Sequence, residues 1–91
     1  MKTAIVNIAK ILSGDIASPF AKGDAIVCES GKITFVGNGA DLAGADVVID
    51  AAGMMAMPGL IDSHVHITFG DYTPRQKTVG FLESYVHGGV T

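Results

Sequence analysis

His64 and His66 stand two residues apart in the stretch "PGLIDSHVHI", residues 58–67, and Asp62 stands two residues before the first of them. Imidazole nitrogen is a good ligand for zinc and related divalent metals, and two imidazoles on one face can share an ion. The chemistry this spacing points to is metal binding. The plainer alternative is a pair of hydrogen-bonded histidines in a core or on a surface. A catalytic zinc site takes about three protein ligands and a water, and further candidates are few. His87 falls at the end of a helical pattern, where a partly positive imidazole is favoured by the helix dipole. Asp71 lies in a loop, where aspartate usually forms turns. Asp62 can orient a histidine from behind, or it can cap a backbone turn. Cys28 reads as a small buried residue, and Met54, Met55 and Met57 as packing residues.

The elements that must position the pair follow from the local pattern. Residues 59–67 form a nearly continuous apolar run. That predicts a strand buried on both faces, as in a parallel sheet. Residues i and i+2 of a strand share a face, so Asp62, His64 and His66 are expected to project together, near the strand's carboxyl end. After a loop, Thr73, Pro74 and Gln76 have the form of a capping box, with Thr73 as N-cap. Val79, Phe81, Leu82, Tyr85 and Val86 then make a helical stripe over 74–87. Gly88 and Gly89 end it, and Val90-Thr91 reads as the first residues of another strand. A strand, a helix and a new strand make one βα unit.

Before residue 58 the pattern is all-β. Strands are expected at 3–8, 10–12, 24–29, 32–36, 47–50 and 54–57, with Ser30-Gly31 as a two-residue hairpin turn. Turns are expected at 13–15, at Ser18-Pro19 and at 51–53, and a single helical turn in "ADLAGA". The organisation predicted is therefore a β part over 1–57 and a βα part over 58–91. A lone βα unit cannot make a parallel sheet. The order predicts an amino-terminal piece of something larger, or a domain completed by other copies of itself.

Composition bounds the partners. The formal charge is −3, and the basic residues Lys2, Lys10, Lys22, Lys32, Arg75 and Lys77 are scattered, which argues against nucleic acid or an anionic membrane. No apolar stretch reaches the roughly 20 residues a membrane span needs. Cys28 is the only cysteine, so an internal disulfide is impossible and a reducing cytoplasm is expected. Hydrophobic residues make up 48% of the 91 and charged ones only 16%, so some apolar surface is expected to meet other protein, with a homo-oligomer the simplest form.

With these residues in view, "PGLIDSHVHI" resembles the first-strand signature of the metal-dependent amidohydrolase superfamily, PG, two apolar residues, D-x-H-x-H. "GKITFVG" and "VIDAAGMMAMPGLID" look like the β-sandwich strands that lead into the barrel of these enzymes. "AKILSGDIASP", "GDYTPRQKT" and "HGGVT" are similar to the branch that hydrolyses cyclic amides. The resemblance implies part of a β-sandwich followed by the first βα unit of a (β/α)8 barrel. It implies that His64 and His66 hold zinc or another divalent metal such as iron, one ion or two, with Asp62 behind them. The metal would make hydroxide available near neutral pH, for attack on the ring carbonyl of a small cyclic amide. In the family the remaining ligands and the catalytic aspartate come from later strands. No catalytic residue is therefore assigned in this chain, Lys77, His87 and Asp71 included, and the 91 residues alone are expected to be inactive. The alternative is a self-standing metal-binding or oligomeric module, two chains pooling His64 and His66 into a four-histidine site.

Overall fold

The computed structural model describes residues 1–65 and 78–91. The chain divides into two compact units, Met1–Pro58 and Gly59–Thr91.

The first unit is built from seven strands, β1 Lys2–Val6, β2 Lys10–Leu12, β3 Phe20–Ala21, β4 Ala25–Glu29, β5 Lys32–Gly37, β6 Val47–Asp50 and β7 Met55–Ala56. They form a four-stranded sheet of order β5-β4-β1-β6 and a three-stranded sheet of order β3-β2-β7. The hairpin of β4 and β5 forms where expected. Ser30 and Gly31 take φ of 50° and 76°, the double positive φ that a two-residue turn needs to match strand twist. A β-bulge follows: Val27 pairs Phe35 and Cys28 pairs Ile33, which leaves Thr34 as the extra residue. At the other end of the hairpin Gly23 has φ +129°, and a Cβ there would lie 2.4 Å from the Gly37 backbone. Only glycine fits that approach.

Two strand pairs in this unit are parallel, β1 with β6 and β2 with β7. They follow from one device. The chain passes from the first sheet to the second twice, after β1 and after β6, and the two crossings run side by side. Ala51 N–H donates to the Val6 carbonyl at 2.8 Å, Gly53 N–H to that of Asn7 at 2.8 Å, and Ala9 N–H to that of Met54 at 2.9 Å. Asn7 and Ala52 both take positive φ, 57° and 50°, to make the bends. The buried core is small: Ala4, Ile8, Ile11, Ala25 and Val27.

Several expectations are corrected in this unit. Phe20–Ala21 forms a strand that sequence does not announce, because two residues carry no period. "ADLAGA" makes no helical turn. Its turn closes instead through Ala45 N–H to the Leu42 carbonyl at 3.1 Å, with Asp41 accepting from Ala43 N–H at 2.9 Å. Aspartate offers the backbone this local bond in competition with a helix. Met54, Met55 and Met57 are exposed rather than packed, at 66%, 56% and 56%, and Cys28 is half-buried.

Among its described residues the second unit holds one helix, α1 Thr78–His87. The expected beginning of this helix and its capping box, Thr73 to Gln76, lie outside the described residues. Its end is as the glycines predict. Gly89 has φ +88°, Val90 N–H reaches the Tyr85 carbonyl at 2.9 Å, and Gly89 N–H reaches that of Val86 at 3.0 Å. This paired closure is the Schellman arrangement. It turns the chain so that Val90 forms a parallel bridge with Leu60.

The strand expected over 59–67 is not formed in its described part. Leu60 pairs with Val90, with Leu60 N–H to the Gly89 carbonyl and Thr91 N–H to the Leu60 carbonyl both at 2.8 Å. Beyond that bridge residues 61–65 join no strand. Ile61 is 84% exposed, so the apolar run is not buried on both faces here. A strand is defined by its neighbours' hydrogen bonds, and among the described residues only Leu60 has them. Apolarity alone does not supply a partner.

Candidate functional site

The stretch around His64 is held by a carboxylate rather than by a strand ladder. Asp62 Oδ1 accepts a hydrogen bond from the His64 backbone N–H at 3.2 Å. This is an Asx turn, in which the side chain replaces a backbone acceptor two residues before the donor. The other carboxylate oxygen, Oδ2, accepts from the Tyr85 hydroxyl at 3.1 Å. Tyr85 comes from α1, 23 residues later. The phenol and the His64 amide are thus the two donors on one carboxylate.

The helix presents that phenol through its apolar stripe. Phe81 and Tyr85 are one turn apart and stack, with ring centroids 4.8 Å apart and planes at 29°. Spacing of i and i+4 places two side chains on one face. Both rings are half-buried. A hollow of about 280 Å³ lies beside them, walled by Val65, Leu82, Val86 and Val90, with the Asp62 carboxylate also in its lining. Desolvation raises the Tyr85 phenol above its ordinary pKa, and the hydrogen bond and charge of Asp62 raise it further. The phenol is therefore a donor across the neutral range.

Of the residues singled out by sequence, Asp62 and His64 are brought together through the backbone. Asp62 does cap a turn, the second of the two roles open to it. The two residues do not share a strand face, because the chain bends at Ser63 and His64. His66, Asp71 and Lys77 lie outside the described residues. His87 is exposed in the last turn of α1. Tyr85 is the residue that sequence reasoning passes over. It fits the apolar stripe so well that its hydroxyl has no separate signal.

The donor chemistry bears on a metal. The imidazole of His64 suits a borderline divalent ion such as zinc or iron. Both Asp62 oxygens are already engaged by N–H and O–H donors, which suits an orienting carboxylate better than a ligand. Among the described residues no three His, Cys, Asp or Glu side chains converge.

No protein-family model matches the chain. Enamidase of Eubacterium barkeri is 55% identical over 93 residues, which span 99% of this chain and 24% of that protein. Imidazolonepropionase of Arthrobacter sp. (strain FB24) is 36% identical over 91 residues, 99% of this chain and 23% of that one. The crystal structure of enamidase, described as a new member of the amidohydrolase superfamily, superposes with a TM-score of 0.83 at 52% identity. It covers 100% of this chain with 24% of its own. The chain thus spans about a quarter of the length of the curated relatives it matches. Over its whole length it matches an amidohydrolase-superfamily protein in sequence and in backbone, as the signature around His64 and His66 implies.

Proposed function

We propose that these residues serve as the amino-terminal part of a metal-dependent amidohydrolase that opens a cyclic amide at its C–N bond. The observation that carries the reading is the full-length match to enamidase, which includes the PGLIDSHVHI signature. The imidazolonepropionase match supports a ring substrate. In this reading the unit Met1–Pro58 contributes to a β-sandwich. Leu60, α1 and Val90 begin a (β/α)8 barrel. The parallel Leu60–Val90 bridge on either side of a helix is what such a βαβ crossover requires.

His64 and His66 would hold zinc or iron, one ion or two. When bound, such a metal supplies Lewis acidity toward water and toward the ring carbonyl. Asp62 fixes the backbone that carries His64, so the imidazole starts from a defined place. In this reading the other ligands and the group that moves protons during ring opening would come from outside these 91 residues. Exposed apolar residues on β6, Val47, Val48 and Ile49, support coverage by further protein, and a homo-oligomer is the assembly proposed. Among the described residues no helix is long and apolar enough to cross a membrane.

A graft tests the reading. Enamidase whose matching segment is replaced by residues 1–91 is expected to hydrolyse enamidase's own substrate. His64→Ala in the graft is expected to lower kcat at least about 100-fold, the scale of losing several kcal/mol of metal-derived stabilisation. A folded graft whose activity is indifferent to His64→Ala would contradict it.

A further inference from the structure

We infer that Tyr85 is a positioning residue for the metal-binding strip: its hydroxyl locks the Asp62 carboxylate, and Asp62 in turn locks the backbone of His64. Four Asx turns occur among the described residues, at Asp15, Asp41, Asp50 and Asp62. At Asp15 and Asp41 no other side chain donates to the carboxylate among the described residues. At Asp50 the second donor is Asn7. At Asp62 it is the Tyr85 phenol, which arrives from a helix. Among the described residues the stretch after Leu60 joins no ladder, and the carboxylate is the described restraint on the His64 amide. A carboxylate free to rotate makes a poor restraint. The phenol fixes which oxygen faces the amide.

Two features make the lock effective. The Phe81 stack sets the direction of the Tyr85 ring. The Schellman closure at Gly89 ties the end of the same helix to Leu60, two residues before Asp62. The lock therefore spans a closed loop of contacts from Leu60 through Asp62 and Tyr85 to Val90. That Tyr85 matters to metal rests on the function proposed above; that it fixes the His64 backbone does not.

Tyr85→Phe removes the hydroxyl and keeps the stacked ring, whereas Phe81→Leu removes the stack and keeps the hydroxyl. Hydrogen exchange at the His64 amide reads the lock, and the Leu60 amide, bonded to Gly89, is the internal control. Tyr85→Phe is expected to speed exchange at His64 about fivefold, the effect of one net hydrogen bond, and at Leu60 less than twofold. Asp62→Ala, a second variant that removes the acceptor itself, is expected to speed His64 at least as much, and Phe81→Leu less. An unchanged His64 rate in Tyr85→Phe, or His64 and Leu60 rising together, would overturn the inference. A zinc(II) titration of the same variants in the enamidase graft, which supplies the remaining ligands, separates the two readings. Tyr85→Phe is expected to weaken zinc about fivefold. A folded graft that takes up no zinc would refute the metal function and leave the exchange result to judge the lock.

Discussion

The turns at Asp50 and Asp62 use one local device in two settings. In each, a carboxylate accepts from the backbone N–H two residues on, at 2.8 Å for Ala52 and 3.2 Å for His64. In each, a distant side chain donates to the same carboxylate, Asn7 at 3.0 Å and Tyr85 at 3.1 Å. The surroundings differ. Asp50 closes β6, whose whole length pairs with β1, and the crossing after it is bonded residue by residue to the crossing after β1. Asp62 follows a single bridge at Leu60. In the first region the carboxylate supplements a ladder. In the second it stands in for one. The same side-chain chemistry is a structural accessory in one unit and, among the described residues, a restraint on the His64 backbone in the other.

If the first region is held by its backbone framework, damage to that framework outweighs damage to its carboxylate. Gly23→Ala is the severest test. Its Cβ would meet the Gly37 backbone at 2.4 Å, at a φ of +129°. A loss of about 3 kcal/mol or more is expected in urea unfolding. An unchanged midpoint would mean that the β4–β5 hairpin does not close as described. Next comes Ala52→Gly, at the bend where Ala52 holds φ +50°. Relief of the left-handed conformation, less the greater entropy of glycine in the unfolded chain, is expected to stabilise by roughly 0.5–1 kcal/mol. A destabilised variant would place the strain elsewhere.

The smallest effect concerns the Asp50 carboxylate itself. The Asn7 side chain, and then the Ala52 amide, hold its pKa below the usual carboxylate value. A depressed folded pKa gives stability that is present above the unfolded value, near 3.9, and is lost as pH falls below it. Asn7→Gly removes the donor while still permitting the positive φ of residue 7. The Asp50 titration followed by NMR is then expected to move up toward the ordinary value, and the stability that this group loses in acid to shrink. A titration that stays put would show that Asn7 is not its partner in solution.

Legibility in the sequence followed locality. The β4–β5 hairpin is written in adjacent residues, two alternating runs around Ser30-Gly31, and it forms as expected. The helix end at Gly88-Gly89 is equally local. The parallel pairing of β1 with β6 joins residues more than 40 apart, and no short pattern encodes it. The apolar run after Pro58 misleads for a related reason. Its residues look buried on both faces, yet a strand needs a partner, and among the described residues only Leu60 has one. The candidate strip around His64 is legible because the signature is contiguous, and Asp62 is picked out with it. Tyr85 is not, since the helical period counts it as apolar and its hydroxyl meets Asp62 only once the helix has folded back. Met54, Met55 and Met57 mislead by hydropathy, their exposure being a property of the sheets and not of the residues.

The central claim is that the strip around His64 and His66 holds a metal within an amidohydrolase-type site. Elemental analysis of the enamidase graft carrying residues 1–91, against its His64→Ala variant, tests it most directly. Zinc or iron at about one to two equivalents, falling below one tenth in the variant while the circular dichroism of the two proteins coincides, is the predicted result. Equal metal in both proteins, or none in the folded graft, would contradict it.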